Sequence, residues 1–350
     1  MYGSKVFNIQ KKDSQEVLFI ATVVSICGAI AVIVNDALDF DYPFWAATAA
    51  IVIWSNGTTI TIYKAWRRLF ATIIGSTIGL CLSVALINLS FVGIAIIFIV
   101  GSFFLYLSRI YTQETYFLLF IGLHISFIGA SCIADPTMAF HLAEYRTLSN
   151  VVGIFCALAF IALLPINKGK DFTPAVPLSN KHALLSAVRM FFAMNLSVIF
   201  WMSINIPGGS INMIITIIAI SGVEINKTVA TFHRRFWGCL LGVVCGISCI
   251  VISSFFAILI FPLFVVFSTI FLYFTLQHPS YGYGYEQANR AFMMVCFPTS
   301  FEAFNFFDGT ERALGIFVAL FILLLLEGCE KGIRAIYPIL LKYITKQLIK

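Results

Sequence analysis

The 350-residue chain is 60% hydrophobic and 11% charged, with a net charge of +6 and a mean hydropathy of +0.97, whereas an ordinary soluble domain carries about 25% charged residues. No water-soluble fold hides that much apolar side chain, because a compact domain needs a polar skin; a soluble enzyme, a nucleic-acid binder and a disordered chain are excluded, and the sequence reads as an integral membrane protein. The apolar runs are long and unbroken, which also excludes a strand-built outer-membrane barrel with its weak alternation over about 10 residues.

The first sixteen residues are polar and lead into a long apolar run at Val17 with no small-residue cleavage site, so the start does not read as a cleaved signal. A spanning helix needs about 20 apolar residues. Six candidates fill the first half: Val17–Asn35, Pro43–Ile62, Leu69–Asn88, Phe91–Ser108, Thr115–Ala134 and Thr147–Ile166. Six more fill the second: Ala183–Asn205, Ser210–Val223, Phe236–Ser253, Phe255–Leu276, Ala288–Ser300 and Arg312–Ile333. Ser210–Val223 and Ala288–Ser300 are short as drawn, and the even count depends on them. With twelve spans, every Lys and Arg except Arg146 and Arg312 falls on or near one side. The positive-inside rule then makes both termini cytoplasmic. The opposite side carries acids, among them Asp36, Asp39, Asp41, Glu144, Asp308 and Glu311.

An internal repeat organises the chain. AWRRLFATIIGSTIG (from Ala65) returns as FHRRFWGCLLGVVCG (from Phe232), so at an offset of 167 Arg67 and Arg68 meet Arg234 and Arg235. Ala71, Gly75 and Gly79 meet Gly238, Gly242 and Gly246. The expected fold class is an all-α polytopic membrane protein of two parallel six-helix repeats, related by a pseudo-two-fold along the membrane normal. The expected units are a first repeat over 1–166, a cytoplasmic linker over 167–182 with Pro174 and Pro177, and a second repeat over 183–350.

Several motifs carry chemistry. Small residues four apart share a helix face and let backbones approach, so the duplicated stripe reads as helix packing. The Arg pairs read either as anchors that snorkel to headgroups or, for Arg68 and Arg235, as an inward cationic path for an anion, since Arg pairs a carboxylate bidentately and keeps its charge. Lys64 lies about one turn before Arg68, and Lys227 about two turns before Arg235, so they match at an offset of 163 rather than 167. Spans two and eight look interrupted: about a dozen residues after Pro43 come Ser55, Asn56 and Gly57, and Ser221, Gly222 and Glu224 end the eighth. A dozen residues reach about 18 Å, past the middle of a roughly 30 Å core. Polar breaks at that depth line cavities, although a short helix ending in a polar loop is the plain alternative. His124 lies in the middle of span five and is either a proton-coupling group or a neutral hydrogen-bonded histidine; Glu224 is the other coupling candidate. Arg146 and Arg312, near Glu144 and Glu311, read as local ion pairs or as an outer anion gate. Trp45, Trp54 and Trp66 read as interfacial belt residues, and Glu327 as part of a surface charge cluster beside Glu330 and Lys331. The nine cysteines lie almost wholly in apolar stretches without metal-ligand spacing and read as small hydrophobes. No metal or cofactor is expected, and no hydrolase or Walker motif suggests an enzyme.

At the duplicated block the sequence resembles the fusaric acid resistance family, which includes aromatic carboxylic acid exporters. The matching stretches are FWAATAAIVI from Phe44, RRLFATIIGSTIG from Arg67 and RRFWGCLLGVVCG from Arg234, and the Arg residues before spans six and twelve also fit. Long members carry a large soluble cytoplasmic region; this sequence is more similar to a short related family of unknown function. The resemblance implies export of small organic anions, aromatic carboxylates foremost, driven by an ion or proton gradient across the bacterial inner membrane. It also implies a periplasmic membrane-fusion partner. A distant likeness of one half to plant malate channels, where a dimer of such halves surrounds an anion path, favours the inward reading of Arg68 and Arg235. A passive anion channel and a non-transporting scaffold subunit are the competing readings.

Overall fold

The computed structural model describes residues 14–54, 58–134, 136, 139–163, 177–204, 214–218, 225–278, 280–297 and 314–332. Among these residues the protein is helical and has no strand. The helices are α1 (Ser14–Ala37), α2 (Pro43–Ile53), α3 (Thr58–Leu86), α4 (Ser90–Ile110), α5 (Thr115–Ala134), α6 (Ala139–Leu163) and α7 (Asn180–Ile204). There follow the described helical residues 214–218 (α8), then α9 (Ile225–Phe255), α10 (Ile260–Gln277), α11 (Gly282–Cys296) and the described helical residues 314–332 (α12). Seven stretches among the described residues are long and apolar enough to cross a membrane, one of them running through both α3 and α4. Large apolar side chains face outward along them, among them Phe19, Phe70, Phe103, Val84 and Val244, as expected where the surroundings are lipid. The protein is a multi-pass helical membrane protein.

Four helix bounds differ from the sequence expectation in ways that matter. Span two does not run on to Ile62. Tyr42 adopts a left-handed conformation (φ 61°), Pro43 opens α2, and the helix stops at Ile53 with Trp54 extended at ψ 131°. Proline suits a first helical position because its missing N–H is unneeded there. Eleven residues make about 16 Å, so α2 ends inside a roughly 30 Å core, just before the Ser-Asn-Gly triplet. Next, α3 begins at Thr58 rather than Leu69 and α9 at Ile225 rather than Phe236. Both Arg pairs therefore sit within helices, because helix propensity of Lys, Arg and Ala carries the helix beyond the apolar run. Finally, α6 begins at Ala139 rather than Thr147, which draws Arg146 into the helix.

Shifting residue numbers by 167 carries α1, α3, α4 and α5 onto α7, α9, α10 and α11 within a few residues at each end. The most extensive pairings are α3 with α5 and α9 with α11. The small-residue stripe lies in these seams. A Cβ on Gly75 would stand 2.7 Å from His124 Cβ and 2.9 Å from the Ile121 carbonyl oxygen; one on Gly242 would overlap the Ala288 carbonyl oxygen. Ile121 and Ala288 are themselves 167 apart, so both seams share one register. The halves meet through α1 on α10 and α4 on α7. Residues 164–176, most of the expected linker, lie outside the described residues, as do the two termini.

Candidate anion-binding site

Arg68 stands ten residues into α3, about 15 Å along its axis, and is buried. Its Nε and Nη2 each donate to Asn150 Oδ1 on α6 at 3.2 Å, and Nη1 donates to the Tyr116 hydroxyl at 3.4 Å. The guanidinium carbon lies 4.7 Å from the Phe120 ring centroid. Asn150 is fixed in turn by donating to the Arg146 carbonyl at 2.7 Å, one turn earlier on α6.

Arg146 is buried as well, and it makes no ion pair with Glu144 among the described residues; Glu144 is exposed. Its guanidinium lies 3.6 Å from the Trp45 ring centroid and 4.2 Å from that of Phe127, while Nε and Nη1 have no hydrogen-bond partner among the described residues. This corrects the reading of Arg146 as one member of a local ion pair and of Trp45 as a belt residue: the helix start at Ala139 turns Arg146 inward, and the indole of Trp45 covers it. Cation–π contacts offset part of a buried guanidinium's desolvation, yet Arg68 and Arg146 still repel each other. Their positive field reaches His124, whose Nδ1 lies 2.7 Å from the Phe120 carbonyl oxygen on the preceding turn and whose Nε2 has no partner among the described residues. Since a carbonyl only accepts, Nδ1 donates, which leaves Nε2 the acceptor in the neutral ring.

In the second half Arg235 is buried too. Its Nη1 donates to the Tyr283 hydroxyl at 3.1 Å and its Nη2 to Thr216 Oγ1 at 3.2 Å. Tyr116 and Tyr283 are again 167 apart, so Arg68 and Arg235 hold corresponding places in their seams. The outer members of the two pairs differ. Arg67 is half-exposed and bridges to Glu114 at 2.6 Å, and Arg234 lies exposed with its guanidinium 5.9 Å from the Tyr281 ring centroid. Lys64 feels the charge of Glu286 on α11, which pairs with Arg290.

Asn56, Glu224 and Arg312 lie outside the described residues, and Lys227 is placed only by its backbone in α9. Glu327, expected in a surface cluster, is buried against α12's own Lys331, whose Nζ lies 2.9 Å away; Arg189 on α7 pairs with Glu330. Cys27, Cys132, Cys239, Cys249 and Cys296 are buried, and Cys81 and Cys329 are exposed. Sequence reasoning missed Asn150, Tyr116 and Trp45 as members of the Arg68–Arg146 cluster. The repeated 48-residue spacing of Arg and Tyr was the available signal for Tyr116.

Residues 29–160, from within α1 almost to the end of α6, match the family model described as fusaric acid resistance protein-like. No curated protein and no solved structure matches the chain significantly. The match covers Arg68, Arg146, His124 and the aromatic rings around them and supports the resemblance that the duplicated Arg-Arg block suggested: the chain is a multi-pass membrane protein that over residues 29–160 is similar to the fusaric acid resistance protein-like family.

Proposed function

We propose that the protein exports small organic anions, aromatic carboxylates foremost, across a bacterial inner membrane, with both termini cytoplasmic and an ion or proton gradient as the driving force. One observation carries the reading: Arg68 and Arg146 are buried together among Trp45, Phe120 and Phe127, with no carboxylate bonded to either among the described residues. Leaving a buried ion uncompensated costs several kcal/mol, and a polar or ionisable group at membrane depth marks a substrate path. An anion with an apolar ring fits both needs, its carboxylate between the guanidiniums and its ring among the aromatics.

In the proposed cycle the anion enters from the cytoplasm past Lys64, Arg68 and Arg235 and pauses near Asn56 and the Ser221–Glu224 segment. His124 or Glu224 exchanges the coupling proton; Nε2 of His124, without a partner among the described residues, supports His124. Arg312 pairs with Arg146 as the outer gate of the notional two-repeat frame. That frame, twelve spans about a pseudo-two-fold, is supported by the exchange of roles between α1 on α10 and α4 on α7, since α7 and α10 are the counterparts of α1 and α4. A periplasmic membrane-fusion protein is the proposed partner, and no catalysis is assigned.

The test is uptake of a labelled hydroxybenzoate into inside-out vesicles, with and without an imposed proton gradient, beside Arg68→Gln/Arg235→Gln. Gradient-driven accumulation lost in the double variant is the expected result. Downhill flux alone would identify a passive channel, because a channel cannot accumulate substrate. Absence of protein-dependent flux, with the cellular phenotype intact in the double variant, would identify a scaffold subunit.

A further inference from the structure

The two Arg–Tyr pairs occupy corresponding backbone positions, yet their surroundings differ in chemistry. One turn beyond Tyr116, on the same face of α5, stands Phe120, its ring against the Arg68 guanidinium. One turn beyond Tyr283, on the same face of α11, stands Gln287. The common register of the seams gives Gln287 the position on α11 that Phe120 holds on α5. Gln287 is 1% exposed, and neither its Oε1 nor its Nε2 has a partner among the described residues; the same holds for Nε of Arg235. Buried polar atoms are paired in the great majority of cases, so three orphans on two side chains of the same α9–α11 seam need an explanation. On the same helix Glu286 is bonded to Arg290.

We propose that Arg235, Gln287 and Tyr283 form a second ligand subsite that takes a small, non-aromatic hydroxycarboxylate. The unused atoms define the ligand: Arg235 Nε and Gln287 Nε2 donate to a carboxylate, and Gln287 Oε1 accepts from a hydroxyl. Gln287 stands where the first cluster has Phe120, and Met294 where it has Phe127. The inference deepens the transport reading and rests on it for the subsite's place in a cycle; the binding chemistry rests on Arg235 and Gln287.

The experiment is calorimetric titration of the full chain in lipid nanodiscs with lactate, propionate and benzoate, for the wild type, Gln287→Met, Gln287→Asn and Trp45→Leu. A site that hydrogen-bonds a hydroxyl rejects the analogue lacking it, so the wild type is expected to prefer lactate over propionate by at least about tenfold. Gln287→Met is expected to bring that ratio near one while leaving benzoate binding unchanged. Gln287→Asn, which keeps the amide but withdraws it, guards against a folding defect in the first variant and is expected to lower the ratio in part. Trp45→Leu is expected to weaken benzoate alone. Failure of the wild type to bind lactate, or a lactate-to-propionate ratio that does not respond to either Gln287 variant, would overturn the proposal and leave a water-filled polar cavity. Lactate preference that depends on Gln287, with no benzoate binding in any protein, would instead remove the aromatic-acid reading and leave the subsite standing.

Discussion

Buried guanidiniums dominate the chemistry of this protein at the scale of single residues. Arg68 uses both edges of its fork, two donors on Asn150 and one on Tyr116. Lysine cannot reproduce that geometry with one point charge. Arg68→Lys is therefore expected to lower benzoate-type transport at least about tenfold although the charge is kept, as read from initial rates in vesicles at matched protein levels. Arg146→Gln is expected to weaken apparent affinity for the anion by a similar factor, with its Kd read by titration; an unchanged Kd would remove Arg146 from the site. His124 has one ring nitrogen held by the Phe120 carbonyl and the other without a partner among the described residues. If it carries the coupling proton, His124→Asn flattens the dependence of accumulation on the imposed pH gradient while leaving downhill flux. A parallel drop in both would make the histidine a packing residue.

Helices meet here along seams that only glycine allows. In the α9–α11 seam a Cβ at position 242 would overlap the backbone oxygen of Ala288, which cannot swing aside as a side chain can. Gly242→Ala is expected to cost about 1–3 kcal/mol by overpacking and to lower the apparent melting temperature in detergent. Gly328 is the control: a Cβ there meets nothing within 4 Å, and Gly328→Ala should raise helix propensity without a clash. Equal melting temperatures for the two variants would show that the seam is looser than its geometry. The short α2 belongs to the same scale. Its stop at Ile53 leaves the roughly 30 Å apolar layer only partly crossed, and that layer admits a broken helix only where protein or a water-filled cavity surrounds the ends.

Cross-packing of the halves decides how the whole molecule holds together. Because α1 lies on α10 and α4 on α7, each half buries apolar surface against the other. Phe264 on α10, for example, packs in one cluster with Val24 and Val32 of α1 and with Phe44 and Ile51 of α2. A protease site inserted within residues 167–176 and cleaved after purification is expected to leave the halves co-eluting on a sizing column. Their separation would show that the linker, rather than the helix contacts, maintains the assembly.

Composition and repeat made much of this legible before any coordinates. Sixty per cent apolar residues in long runs leave only helices in lipid, and the duplicated Arg-Arg-small-residue block located the two seams because spacing of four is a property of the helix itself. The sequence left Arg68 and Arg235 as headgroup anchors or as an inward path, and in the structure both side chains are buried. Other features depended on contacts between residues far apart in the chain. Arg146 read as a partner of Glu144, two residues away, until the early start of α6 set it beneath Trp45, about a hundred residues distant in sequence. No local pattern encodes that meeting. Local periodicity states which faces of a helix are apolar, whereas the neighbour that covers each face is settled only when all the helices pack together.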